Sequence, residues 1–249
     1  TMIHNDKLYV SAMNGTFVMD LDTGEFKWLC RNAQNFTIDK EENIWIMIGT
    51  SLIRIKLTDT DNQKKYFLPQ YGIRFEPKRI ITTNNGDIYF VVLGGGLYRY
   101  DKPSDSFIHY SQGSGHLLSN YCYNVAETNS GELLVTSDKG ITFLNPSNEN
   151  TRFVTLGANL PITSIADGCG ILVCRNNELF VGGNDGLASF FREDLDQKEK
   201  NYSLYFSELY IHNKRIYPGA VSGDILKEAF PFSESIHLNH GQNNLIINF

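Results

Sequence analysis

Five short apolar runs at nearly constant spacing constrain the fold of this chain more than any other feature of its sequence. Their central residues are Tyr9, Trp45, Tyr89, Leu134 and Phe180, which lie 36, 44, 45 and 46 residues apart. Gly, Asn and Asp residues flank the runs, as expected for β-strands between tight turns. A period of about 40–45 residues is typical of repeated four-stranded antiparallel sheets. Because helical periodicity is nearly absent, the sequence predicts an all-β protein.

A four-stranded sheet that is apolar on both faces cannot bury them by itself. Radial stacking of such sheets, as the blades of a propeller, covers each face with a neighbour and leaves only short edges. We therefore predict that Trp45, Tyr89, Leu134 and Phe180 lie in the core between blades. A ladder of rings that stack on sugars is the alternative. Core packing is favoured because burial of each aromatic ring contributes roughly several kcal/mol.

The repeats resemble a known unit, the regulator-propeller repeat. Residues 119–146 carry its pattern of an Asn-led strand, a Gly-containing turn, an apolar run and a Gly-led strand. The same pattern is found in residues 35–55, 87–101 and 178–190. Asp39 and Trp45 occupy the acidic and Trp positions of the pattern, whereas Thr83 and Thr128 replace the acid and Glu42 replaces the turn glycine. The resemblance implies about five blades of a seven-bladed ring.

The tail of the chain resembles a different domain. Residues 203–249 are similar to the opening of the triple-tyrosine domain, an immunoglobulin-like β-sandwich that follows such propellers. The matching segments are 209–211, 236–238 and 244–249. We therefore predict propeller blades over residues 1–200 and the first strands of an Ig-like sandwich over 201–249. We interpret the chain as a piece cut from something longer.

This order of domains is similar to that of the extracytoplasmic sensor region of hybrid two-component histidine kinases. The resemblance implies a periplasmic, non-enzymatic fragment that binds an oligosaccharide and regulates polysaccharide-utilisation genes. It also implies a homodimer, with the membrane reached only through downstream segments. Five blades taken from a larger ring would form an open arc, or have their free edges covered by a second chain.

Composition excludes some functions and leaves others open. The chain has 249 residues and a formal net charge of −6, which argues against contact with nucleic acid. No apolar run approaches the roughly 20 residues of a membrane helix. The four cysteines have no metal-ligand spacing, and we interpret them as buried thiols. A disulfide between Cys169 and Cys174 is the alternative, if the two face each other across a hairpin.

Motifs for catalysis, metals and cofactors are missing from the sequence. His237 and His240 lie in a strand-and-turn context without a third ligand, so we expect no metal there. The triplet Gly94-Gly95-Gly96 lacks the helix that a phosphate-binding loop needs. No GxSxG motif marks a serine nucleophile. We expect no catalytic residue and no cofactor, although paired carboxylates that meet only in the fold remain open.

Two loops between predicted sheets carry the candidate ligand-binding residues. Loop 68–79 is cationic and aromatic, which suits stacking on a sugar ring and pairing with a carboxylate or sulfate. Loop 111–121 lies at the equivalent place in the next repeat. The candidates are Tyr71, Arg74, Arg79, His116, Asn120 and Tyr121. The alternatives are that these are ordinary solvated loop residues, or that they contact a neighbouring propeller.

Two other functions remain open. A propeller can host a carbohydrate-active lyase or hydrolase, which requires acids or a Tyr/His/Arg group that converge on the central channel. It can also be a scaffold that binds no ligand and only mediates dimerisation.

Overall fold

The structure, a computed structural model, describes residues 1–12, 14–157, 160–195, 205–219 and 225–249. It divides into two compact units, Thr1–Asp196 and Gln197–Phe249. The domain boundary predicted at residue 200 falls among residues 196–204, outside the described part. Strands are the main regular structure in both units, which confirms the all-β prediction. The described helices are short 3-10 segments, and none is long and apolar enough to span a membrane.

The first unit contains five antiparallel sheets, numbered here in chain order, and their strands follow one another along the chain. Sheet 1 consists of β1 (Met2–His4), β2 (Lys7–Ala12), β3 (Gly15–Asp20) and β4 (Phe26–Arg31). Sheet 2 consists of β5 (Asn35–Ile38), β6 (Asn43–Ile48), β7 (Ser51–Lys56) and β8 (Asp59–Phe67). Sheet 3 consists of β9 (Pro77–Thr82), β10 (Ile88–Val92), β11 (Gly96–Asp101) and β12 (Ser106–Tyr110).

Two further sheets complete this unit. Sheet 4 consists of β13 (Cys122–Glu127), β14 (Leu133–Ser137), β15 (Gly140–Leu144) and β16 (Thr151–Thr155). Sheet 5 consists of β17 (Ile171–Val173), β18 (Glu178–Gly183) and β19 (Gly186–Phe191). Within the described residues sheet 5 therefore has three strands, where the repeat predicted four. A 3-10 turn, Arg192–Leu195, follows β19.

The second unit contains one small sheet. Its order is β21 (Lys214–Arg215), β20 (Glu208–Ile211) and β22 (Leu245–Asn248), all antiparallel. Leu209 and Ile211 of the central strand pack against Ile225 and Leu226. The Ig-like sandwich stays a prediction, because three strands do not distinguish it from other small sheets.

One hairpin turn, between the first and second strands, is repeated in sheets 2 to 5. The same backbone hydrogen bond closes it each time: Asp39 N–H to Asn43 O (2.9 Å), Thr83 to Asp87 (2.9 Å), Thr128 to Glu132 (2.8 Å) and Cys174 to Glu178 (2.9 Å). The side chain of its first residue also accepts a backbone N–H: Asp39 from Asn43 (2.9 Å), Thr83 from Asp87 (3.1 Å) and Thr128 from Glu132 (3.1 Å). A threonine hydroxyl thus replaces the carboxylate of the repeat pattern without changing the turn.

The glycine position of the repeat pattern lies near the start of the second strand, where the backbone has a positive φ angle. Gly86 and Gly131 have positive φ angles of 94° and 82°, which glycine adopts without steric cost. Asn177 and Glu42 take the same place in their turns with φ of 69° and 61°. Glu42 is a costly choice there, but its carboxylate receives His4 of sheet 1 at 2.9 Å. Its side chain therefore links two sheets.

The middle residue of each second strand packs against the next sheet along the chain. Tyr9 lies in the core between sheets 1 and 2, Trp45 between 2 and 3, Tyr89 between 3 and 4, and Leu134 between 4 and 5. All four are at most 4% exposed. These positions confirm the repeat and the packing of successive blades face to face.

Phe180, the fifth member of this series, is an exception. It is half-buried and belongs to none of the core clusters, so the prediction that it lies between blades is wrong. No described sheet covers that face of sheet 5, where Leu172 and Leu187 are also exposed. Among the described residues, no core cluster joins sheet 5 to sheet 1. A closed five-bladed ring would require such a core, and the fold is a partial propeller.

The cysteines do not form the bridge that the sequence left open. Cys169 and Cys174 are free thiols, as are Cys30 and Cys122. Cys122 is fully buried between sheets 3 and 4, and burial raises its pKa to about 12. It behaves as a small apolar side chain.

An aromatic cluster with one carboxylate lies between sheets 2 and 3. The hydroxyls of Tyr66 and Tyr100 donate to Asp105 at 2.8 and 2.7 Å, and the Lys64 ammonium pairs with the same carboxylate. Burial opposes the ionisation of Asp105. The hydrogen bonds outweigh burial and lower its pKa to about 2.

Replacement of Asp105 by Asn should change how stability depends on pH. The folded-state pKa of about 2 lies below the reference value of 3.8, so the ionised carboxylate stabilises the fold above that reference value. This contribution is lost as the pH falls through the folded-state value. The free energy of unfolding should therefore differ most between wild type and Asp105→Asn near neutral pH, and the two should converge in acid. Urea denaturation at a series of pH values measures this difference in the free energy of unfolding.

The matched control is Asp61→Asn, on the exposed strand β8 of the neighbouring sheet. It should leave the pH profile as in the wild type. A constant offset between wild type and Asp105→Asn at every pH would contradict the assignment. The effect is modest, since the Asp105 side chain is 39% exposed and solvent screens its ion pair.

Gly140→Ala tests a close approach between the third and fourth strands of sheet 4. Gly140 has φ of 141°, and a Cβ there would overlap the carbonyl oxygen of Val154. We expect the variant to lose about 2 kcal/mol or more of unfolding free energy. Gly170→Ala, with no atom within 4 Å of its new Cβ, is the control and should cost far less. Equal effects of the two substitutions in urea denaturation would refute this explanation.

Candidate functional site

A pocket of about 200 Å³ lies at the end of sheet 3 where the connections between successive sheets emerge. Loop 72–75, which leads from sheet 2, forms one side of it, and the turn after β10 forms another. Its lining includes Arg74, Phe75, Gly95, Tyr98, His109 and Asn120. The pocket therefore collects residues from both loops that the sequence singled out.

A short helical turn places the first loop. Residues Leu68–Tyr71 form a 3-10 helix that begins with proline and ends at Gly72, whose φ is 78°. Gly72 donates its N–H to the carbonyl of Pro69 at 3.1 Å. The chain then passes buried Ile73, which anchors the loop in the core between sheets 2 and 3. Arg74 and Phe75 follow and are exposed at the pocket.

Two stacked rings form the wall of the pocket. Tyr98 on β11 and His109 on β12 are direct cross-strand partners, with ring centroids 4.4 Å apart and planes 6° from parallel. The His109 ring nitrogen Nε2 lies 2.7 Å from the carbonyl oxygen of Gly95, so it carries the proton in this contact. The imidazole is thereby held in one orientation.

Asn120 contributes a fixed amide. Its Oδ1 accepts the N–H of Gln112 at 2.7 Å, and its own carbonyl accepts the N–H of Gly96 at 3.0 Å. No described residue accepts a hydrogen bond from the side-chain amide nitrogen of Asn120. Two N–H donors of a fixed amide thus remain for a ligand.

The other candidate residues lie around this pocket without lining it. Tyr71 packs edge-to-face on Phe107 at 5.0 Å. His116 lies 2.9 Å from Ser114 Oγ and edge-to-face on Tyr110. Both rings therefore contact a neighbouring aromatic ring, whereas Tyr121, at 57% exposure, borders the pocket beside Gly94.

Arg79 occupies a different environment, on the innermost strand β9. Desolvation by the surrounding protein lowers the pKa of its guanidinium, although part of the side chain still reaches solvent. Its neighbour Lys78 pairs with Asp167, just before sheet 5, at 2.7 Å. This ion pair links sheet 3 to sheet 5 past sheet 4, where inner strands converge.

Sequence reasoning singled out Arg74 and Asn120, which the structure brings to one pocket, and missed Tyr98 and His109. An aromatic residue in each of two adjacent strands was the available signal. Whether the two rings stack depends on the pairing register, which becomes visible only in the folded sheet.

Among the described residues, no group of three or more His, Cys, Asp or Glu side chains lies in a position to hold a metal ion. Every described carboxyl group with a shifted pKa is shifted downward: Asp20, Asp105, Asp185 and Glu208. A general acid needs the opposite shift.

Comparison with known proteins yields structural relatives only. No protein-family model and no curated protein matches the chain. The extracellular domain of a putative hybrid two-component system from B. thetaiotaomicron is similar over 99% of this chain and 34% of its own, with a TM-score of 0.75 and 18% identity. The extracellular domain of a putative one component system from the same organism gives the same coverages and identity, with a TM-score of 0.57.

A propeller-like enzyme also shares part of the fold. Virginiamycin B lyase from Staphylococcus aureus matches 76% of this chain and 68% of its own, with a TM-score of 0.55 and 16% identity. Sequence identities as low as these show a similarity of fold and nothing more. The chain has the fold of a two-component extracellular domain. It spans about a third of the length of those domains.

Proposed function

We propose that this chain is a ligand-sensing part of the extracytoplasmic region of a two-component sensor kinase and recognises an oligosaccharide in the periplasm. The observation that supports it best is the similarity to such an extracellular domain along 99% of the chain, across both units. The pocket at the end of sheet 3 supplies the ligand site of this proposal.

The chemistry of that pocket suits a sugar. Phe75, at 57% exposure, offers a ring face, and the stacked Tyr98 and His109 provide a flat wall. The guanidinium of Arg74 and the amide of Asn120 supply directional donors for ring hydroxyls or a carboxylate. A few placed polar groups on an apolar wall are typical of small-molecule sites.

The proposed role in signalling depends on the coupling between ligand binding and the conformation of the sensor. A bound ligand shifts the balance between two arrangements of a sensor only by its different affinity for them. We propose that the sensor acts as a homodimer and that the ligand favours the arrangement that activates the kinase. Regulation of polysaccharide-utilisation genes belongs to this same proposal.

A lyase or hydrolase is the competing function, and the fold shared with virginiamycin B lyase is the observation in its favour. Against it stands the direction of the shifts at Asp20, Asp105, Asp185 and Glu208, where the pKa of each carboxyl group is lowered and not raised. A scaffold without a ligand is the third possibility, and the same experiment separates all three.

Isothermal titration calorimetry with arabino-, galacto-, xylo- and manno-oligosaccharides tests the proposal on the 249-residue chain. At least one of them should bind, and Arg74→Gln should weaken its binding about tenfold, equivalent to about 1.4 kcal/mol. Arg175→Gln, in the turn before β18 at the other end of sheet 5, is the matched control and should bind as the wild type does.

Product analysis on the same mixtures completes the experiment. Cleavage of any of these glycans by the purified chain would replace the sensor proposal with the enzyme. Absence of binding across the panel would favour the scaffold.

A further inference from the structure

A second pocket, of about 390 Å³, lies between sheets 2 and 3 at the strand ends opposite to the first pocket. The hairpin turns at residues 39–41 and 85–87 form its rim, and residues 99–103 close one side. Trp45 and Arg54 reach it from sheet 2. The proposed function makes no use of this pocket.

Most of the acids that line the second pocket are already engaged. Glu41 pairs with Lys102. The Asp39 carboxylate accepts the indole N–H of Trp45 at 2.8 Å, besides the turn N–H groups. Asp101 accepts the hydroxyl of Ser104. These carboxylates therefore hold the turns together, and none of them forms an ion pair with Arg54, Lys40 or Arg99.

Arg54 is a basic side chain of the pocket whose guanidinium is held in place by neutral groups. Its guanidinium lies over the Trp45 ring, 5.5 Å from the centroid, and Nη1 donates to the Tyr100 hydroxyl at 3.1 Å. No carboxylate of the described residues lies within ion-pair distance of it. A guanidinium has five N–H donors, and a ring face with one phenol oxygen leaves most of them free.

Two more basic side chains of the lining resemble Arg54 in having no ion pair. Lys40 and Arg99 line the same pocket and form no ion pair with any carboxylate in the described part of the chain. Among the lining acids, Asp87 alone has a side chain with no hydrogen bond or ion pair to another described residue. Three basic side chains of the lining thus lack an ion pair among the described residues, although the formal charge of the lining sums to zero.

We propose that this pocket binds a small hydroxy carboxylate, a compound with one carboxylate and neighbouring hydroxyls such as a hexuronate. The carboxylate pairs with the guanidinium of Arg54, which is pre-oriented by Trp45 and Tyr100, and charge-assisted pairs of this kind are among the strong hydrogen bonds. The free carboxylate of Asp87 accepts hydroxyls of the same ligand. The volume is in the range of small-molecule sites.

Calorimetry on the 249-residue chain with D-galacturonate, D-galactose and sulfate tests the proposal. Galacturonate should bind, and galactose, which lacks the carboxylate, should bind at least about tenfold more weakly. Higher salt should weaken the binding of galacturonate, because it screens the charge pair. Equal binding of galactose, or no measurable binding of galacturonate, overturns the proposal. Equal binding of sulfate overturns the part that assigns hydroxyl recognition to Asp87.

Variants assign the binding to this pocket. Arg54→Gln and Lys40→Gln should weaken galacturonate binding about tenfold and a few fold, respectively. Lys40 is exposed, so its variant remains informative if the loss of Arg54 disturbs packing on Trp45. Arg175→Gln, which lies in neither pocket, should leave galacturonate binding unchanged. If only Arg74→Gln weakens it, the ligand occupies the first pocket and the proposal of a second site is wrong.

Discussion

Packing of one sheet against the next is the interaction on which the rest of this structure depends. Each four-stranded sheet has two apolar faces, and the middle of each second strand, from Tyr9 to Leu134, fills the core with the sheet that follows. Phe180 shows what happens without that packing. No described sheet follows sheet 5, and the Phe180 ring is only half-buried. A repeat protein of this kind is stabilised by its neighbour interfaces.

That packing also places the sites. Connections between sheets emerge at one end of the strands, together with the turn between the second and third strands, and the other two hairpin turns emerge at the opposite end. The first end gathers loops around Tyr98 and His109, and the second gathers turns around Arg54. Two pockets of different character thus arise from one architecture. The first is walled by rings, and the second is rich in charge.

The turns show how a repeat can persist while its residues change. Asp39 and Thr128 differ in chemistry, yet each side chain accepts the backbone N–H four residues on and closes the same turn. Asp39 does more, because its carboxylate also receives the Trp45 indole, and sheet 4 has no Trp to bind. The acid and the Trp of the pattern therefore belong together, and the weak repeats lack both. This pairing explains why a single repeat carries little signal in sequence.

The sequence by itself determined the all-β class, the spacing of the sheets and the burial of Trp45, because strand period and turn residues are local properties that side-chain chemistry sets. It also indicated the loops that contain Arg74 and Asn120. Only the tertiary structure decided that Tyr98 stacks on His109, that Tyr71 packs on Phe107, and that Arg54 has no acidic partner among the described residues. These depend on strand register and on which sheet faces which, relations between residues far apart in the chain. Because the packing of sheets sets these contacts, they cannot be predicted from a local sequence pattern.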